Sequence, residues 1–220
     1  MPDDTNTDPE RNESTPITLG QTRRSLHVVA ELVLAGPQSR TSGTVRLSAA
    51  AGGFRTIAEP DIRVEGGEVV RGATRIAINA STPAALSSAL GVNAVAPDTY
   101  HDGTGATAEE ELVVSAVHAE ALAEWFQAGQ EALLALAPTE VPVLWPEHFD
   151  NAITADEINY GVSPGDSFSE VPYAYVGPWT PREGDFWNAP FGAFRTWTDL
   201  GGAAALLDFF RQGRRLAQGR

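Results

Sequence analysis

The chain is 220 residues long and 42% apolar, with a formal net charge of −14, no cysteine, and arginine as every one of its 15 basic residues. The missing cysteine excludes thiol nucleophiles, disulfides, iron–sulfur clusters and thiolate zinc sites, and the missing lysine excludes Schiff-base chemistry, pyridoxal phosphate anchoring and a P-loop lysine. An acidic chain with no basic stripe ahead of its last ten residues is also a poor nucleic-acid ligand, because neutralisation of phosphates drives that binding.

Residues 1–20 hold Asp3, Asp4, Asp8, Glu10 and Glu13 among Thr, Asn, Pro and Ser. With almost no apolar surface to bury, this acidic tail is predicted to be disordered. Thr22 to Ala35 reads as the first helix, because Leu26, Val29, Ala30, Val33 and Leu34 recur on one face. Gly36-Pro37 is its expected stop. From Thr44 to Asn79 the period changes to two. Val45/Leu47, Ile62/Val64 and Ile76/Ile78 alternate with polar neighbours, and Glu65-Gly66-Gly67-Glu68 supplies a hairpin turn. With a short strand near Phe54, this predicts an antiparallel meander of four or five strands, covered by the first helix.

Thr82-Pro83 opens a short helix that closes at Gly91. Asp102-Gly103-Thr104-Gly105 is the kind of run that cradles phosphate, but no hydrophobic strand precedes it, so it reads as a surface turn. Ser115 is the expected cap of a long helix reaching Leu136, with Leu122, Trp125, Phe126, Gly129, Leu133 and Leu136 as its buried face. His27 and His118 read as packed, hydrogen-bonded or boundary histidines.

Aromatic residues then thicken: 12 of the chain's 18 Phe, Trp and Tyr fall between Trp145 and Trp197. If Val143–Asp150 is one strand, Leu144, Pro146, His148 and Asp150 share a face. Asn159–Ser163 and Pro172–Val176 are predicted neighbouring strands, joined through a type II turn at Ser163-Pro164-Gly165-Asp166. Thr198 or Asp199 is the expected cap of a last helix through Leu216, with Ala203, Leu206, Leu207 and Phe210 inward.

The runs LWPEHFD, NYGVSPGD and PYAYVGPW, with TRRSLHVVAELVLAGPQ and GGFRTIAEPDIRVEG upstream, resemble a group of uncharacterised actinobacterial proteins. The W-P-x-H-F-D signature is similar to one in a broader set of domains of unknown function. The resemblance implies no activity and supplies no catalytic residue.

The expectation is therefore an α+β fold: an antiparallel sheet, made of the meander and the aromatic C-terminal strands, packed by three to four helices. It forms one domain over 21–220, with 21–140 and 141–220 as two lobes if the sheet divides. No apolar run approaches the ~20 residues that span a bilayer, and no basic-then-apolar leader opens the chain. A cytoplasmic protein without membrane association is expected.

For function, an aromatic cleft around 144–197 is expected to bind a small polar organic ligand, with Trp145, Tyr160, Asp166, Tyr173, Tyr175 and Trp179 as its contacts. The alternative is an enzyme in which His148 and Asp150 form a general acid–base pair or share a divalent metal, as in a hydrolase. Convergence of two histidines with Asp150 would favour the enzyme. A non-catalytic scaffold is the third reading. No cofactor is named by any motif, and neither is an oligomeric state.

Overall fold

The computed structural model describes residues 16–219. The predicted disordered tail lies outside the described residues as far as residue 15, and its end is helical instead. Thr18 Oγ1 accepts the Gln21 N–H at 3.2 Å, and the Gln21 side chain returns to the Thr18 N–H at 2.9 Å. This reciprocal capping box starts α1 (Leu19–Val28) ahead of the predicted Thr22.

Gly36-Pro37 does not stop the helix. The backbone widens to π-helical over Val29–Ala35, and α2 (Gly36–Ser42) follows directly. In the π register the Leu32 carbonyl looks to the amide of residue 37, which in proline carries no hydrogen. The Val95 N–H supplies the donor at 3.0 Å. Gly36 leaves room for that visitor, since a Cβ there would lie 1.7 Å from the Val95 carbonyl oxygen. A local stop signal has been overridden by one tertiary hydrogen bond.

The predicted meander forms five strands: β1 (Leu47–Ala50), β2 (Gly53–Thr56), β3 (Arg63–Glu65), β4 (Glu68–Arg71) and β5 (Thr74–Ala77). The C-terminal part adds β6 (Val143–Trp145), β7 (Asp150–Ala155), β8 (Ile158–Ser163), β9 (Tyr173–Pro178) and β10 (Ala193–Thr196). All ten join one antiparallel sheet in the order β10-β9-β8-β7-β6-β1-β2-β3-β4-β5. The register Leu47↔Leu144 couples the two parts, so one sheet runs through both 21–140 and 141–220.

Of the helices, α3 (Pro83–Ala89) is capped by Thr82 as expected, and α4 (Ala116–Leu136) matches its predicted span. The Ser115 hydroxyl makes no cap bond; its N–H instead donates to Thr22 Oγ1 at 3.1 Å. The predicted last helix is two pieces. Thr196 caps a single turn, α5 (Trp197–Leu200), the left-handed Gly201 ends it, and α6 (Ala203–Ala217) begins afresh. Leu206, Phe209 and Phe210 are its buried face, whereas Ala203 is exposed.

One sheet face meets α4 and α6. There Leu144, Ile153, Tyr160, Val162 and Val176 join Leu122, Phe126, Leu133, Leu206 and Phe210 in a single buried cluster. Strand alternation then sends the intervening side chains of β6–β10 to the opposite face. The α+β architecture is as expected, and that second face holds the cleft.

Candidate functional site

Directly opposed residues on neighbouring strands share a face. Ala152, Gly161, Tyr175 and Phe194 stand in one row across β7 to β10. Ser163, Tyr173 and Thr196 form the next row, and Asp150 lies on the same side of β7 as Ala152.

Val143–Asp150 is not one strand. The Phe149 N–H donates to the Trp145 carbonyl at 2.7 Å, and Phe149 takes a φ of +55°, turning the chain between β6 and β7. A positive φ is uncommon for a bulky residue; burial of the ring offsets its cost. Phe149 stacks on His27 at 5.2 Å and meets Phe54 and Phe126 edge-on at 5.4 and 5.2 Å. The turn moves His148 out of the predicted common face with Asp150. His148 is exposed at the turn, while Asp150 opens β7 at 8% exposure.

Above this face lies a cleft of about 1030 Å³, at the upper end of the range for small-molecule sites. Its wall is aromatic. Phe168 packs edge-on against Phe191 at 4.9 Å and Tyr173 at 5.7 Å, and Tyr173 lies near-parallel to Phe191 at 6.5 Å. Tyr175 continues the wall, 6.3 Å from Tyr173 and 6.2 Å from Phe191. Trp179 stands exposed at the rim and donates weakly to Asn159 Oδ1 at 3.4 Å.

Two Tyr–Asp pairs set the polar groups. The Tyr175 hydroxyl donates to Asp150 Oδ2, and the Tyr173 hydroxyl donates to Asp166 Oδ2 at 2.6 Å. Asp166 Oδ1 also accepts the Phe168 N–H at 2.8 Å, fixing the loop that carries Phe168. Asp150 Oδ1 is buried and has no hydrogen-bond partner among the described residues. Burial raises the Asp150 pKa above the ordinary carboxylate value, against the Tyr175 hydrogen bond, which lowers it. Burial and then the neighbouring Asp150 charge push the Tyr175 phenol well up, and burial does the same to Tyr173.

His27 and His148 both border the cleft with Asp150, and His118 does not. No hydrogen bond among the described residues joins either imidazole to the carboxyl. His27 Nε2 lies 2.8 Å from the Pro146 carbonyl, which requires that nitrogen to be the donor. Burial lowers its pKa, favouring the neutral ring. His118 is a boundary histidine, half-buried, and its Nδ1 has no hydrogen-bond partner among the described residues. Among the described residues, no group of three or more His, Asp or Glu is placed to hold a metal ion.

Six of the eight sequence candidates therefore border the cleft: His148, Asp150, Asp166, Tyr173, Tyr175 and Trp179. Tyr160 does not. It points to the helix side, fully buried and edge-on to Phe210 at 5.9 Å, because its place in β8 is odd relative to Gly161. Trp145 faces the adjoining depression under the Arg46 guanidinium, 5.6 Å from its ring. Sequence reasoning missed Phe168, Phe191 and Arg23. The first two lay within the aromatic-rich segment; Arg23, whose guanidinium donates to the Glu170 carbonyl at 2.8 Å, gave no local signal.

The Asp102–Gly105 run is more than a surface turn. Thr104 donates to the buried Glu31 carboxylate from its N–H at 2.8 Å and from its hydroxyl. The loop cradles an anion, but the anion is the protein's own, presented by the π-helical segment. Compared with known proteins, the chain matches no family model, no curated protein and no solved structure.

Proposed function

We propose that the protein binds a small polar organic ligand in the cleft between the Asp150–Tyr175 pair and the Phe168–Tyr173–Phe191 wall. One observation carries this reading. Asp150 lies on the cleft, nine-tenths buried, with one carboxyl oxygen held by Tyr175 and the other without a partner among the described residues. A buried polar atom left unpaired costs about 1–3 kcal/mol, and a ligand donor would remove that cost. The aromatic wall supplies the apolar contact that a few placed polar groups then orient. The earlier-expected contacts Tyr160 and Trp145 have no part in it.

Thermal denaturation across a chemically diverse panel of small molecules tests the reading, followed by titration of each stabiliser against Phe191→Ala and Tyr175→Phe. Stabilisers that lose affinity in both variants support it. A flat response across the panel sinks it.

A general acid–base enzyme is the second reading, supported by His27, His148 and Asp150 bordering one cleft. It ranks below binding because His27 is committed to Pro146 and His148 does not touch Asp150. Chemical conversion of a bound panel molecule, lost in His148→Gln, would reverse that order.

A further inference from the structure

We propose that the cleft selects an organic cation: a protonated primary or secondary amine on an aromatic or apolar body, its nitrogen engaged by Asp150 and its body laid along the aromatic wall. This inference rests on the reading of the cleft as a small-molecule site and adds the ligand's charge to it.

The first ground is the charge around the cleft. Glu147, Asp166 and Glu170 border it beside Asp150, and none of these three makes an ion pair among the described residues. Opposing them are Arg24, which is paired with Glu110 at 3.1 Å, and Arg23, which is turned onto the Glu170 carbonyl. In a chain of net charge −14 the resulting field draws cations in and turns anions away.

The second ground is independent of that cluster. Asp150 Oδ1 is a buried acceptor without a donor among the described residues, on a residue only 8% exposed. An ionised carboxyl accepts and never donates, so a ligand N–H suits it and a second carboxylate or carbonyl does not. The third ground is what lies beside it. Tyr175 carries the wall from the carboxyl to Tyr173 and Phe191, 6.3 and 6.2 Å away, and aromatic faces attract cations through their quadrupole.

The proton balance follows. Burial favours the neutral form of Asp150, and a docked ammonium favours the anion. A bound ammonium and the ionised Asp150 therefore stabilise each other, and binding draws the Asp150 pKa back down. The groups facing Asp150 are Tyr175 and Tyr173 from β9, Asp166 from the β8–β9 loop and His148 from the β6–β7 turn.

Isothermal titration of the full chain with 2-phenylethylammonium, 2-phenylethanol and 3-phenylpropanoate, matched in shape and differing in charge, tests the inference. The ammonium is expected to bind about tenfold or more tighter than the alcohol, with the carboxylate weakest. Asp150→Asn should abolish that preference, leaving the ammonium no tighter than the alcohol. Where Asp150→Asn fails to fold, the order of the three probes on the wild-type chain decides alone. Alcohol or carboxylate binding as tightly as the ammonium overturns the cation inference and leaves the cleft reading standing. So does an ammonium that fails to bind when a neutral or anionic panel molecule does. Failure of every probe and every panel molecule removes both.

Discussion

Gly161 and Tyr175 are directly opposed on β8 and β9, and the Tyr175 phenol occupies the volume that a side chain on residue 161 would fill. A Cβ on Gly161 would lie 2.4 Å from Tyr175 Oη and 2.5 Å from Cζ. That vacancy lets the phenol lie across the sheet to Asp150 on β7. The cleft's polar centre thus depends on an atom that is not there.

Gly161→Ala should therefore displace Tyr175 from Asp150 without touching either residue. Overpacking of this kind costs about 1–3 kcal/mol. Urea denaturation should show a loss of that size, and cleft ligands should weaken along with it. Unchanged stability and unchanged affinity would show that the ring has room elsewhere and does not depend on residue 161.

Asp150 makes stability depend on pH in a particular direction. Its folded pKa is raised above the ordinary 3.8 by burial, so between those two values the folded state holds more protons than the unfolded one. Its contribution to stability is then fully present below about 3.8 and is lost as pH rises through the folded pKa. Asp150→Asn should flatten that decline. His148, Asp166, Tyr173 and Tyr175 face the same carboxyl and remain in the variant, so the difference between the two pH profiles isolates Asp150. Parallel profiles would count against a carboxyl with a raised pKa.

Tyr160→Phe addresses the tyrosine on the wrong face. Its hydroxyl is buried with no partner among the described residues, and burial pushes its pKa up to about 12. Removing an unpaired buried hydroxyl should be neutral or stabilising, by up to about 1 kcal/mol. Ligand affinity should not change. A destabilised variant, measured by urea unfolding, would reveal a hydrogen bond to Tyr160 Oη.

Glu31→Ala should free the Gly103–Thr104 loop. Losing the carboxylate leaves the Thr104 N–H and hydroxyl without their acceptor, at a cost of about 1–3 kcal/mol. Hydrogen exchange at Thr104 and proteolysis across 100–105 should both accelerate, while the β8–β9 region stays protected. Equal protection of the loop in variant and wild type would show that Glu31 is not what holds it.

Much of the fold was written locally. Alternation at Ile62/Val64 and Ile76/Ile78, the Gly66-Gly67 turn and the Thr82-Pro83 helix start all appear where the pattern placed them, because each depends on nearest neighbours and a solvent-facing side. Gly36-Pro37 misled for the opposite reason. Its reading as a stop was sound for an isolated helix and failed once Val95, distant in sequence, satisfied the Leu32 carbonyl. Phe149 misled likewise: the +55° φ that breaks the predicted strand is held by a ring buried against His27, Phe54 and Phe126.

By itself the sequence determined that this chain carries neither cysteine nor lysine, that its strands and helices form an α+β fold, and that its aromatic residues are concentrated between Trp145 and Trp197. Composition and period are properties of the chain, so no folding is needed to read them. Tertiary structure alone decided which aromatics face the cleft, since a shift of one residue along a strand sends a side chain to the other side of the sheet. It also decided that Asp150 pairs with Tyr175 and not with His148. That pairing spans 25 residues and exists only because three strands and a missing Cβ bring the two groups together.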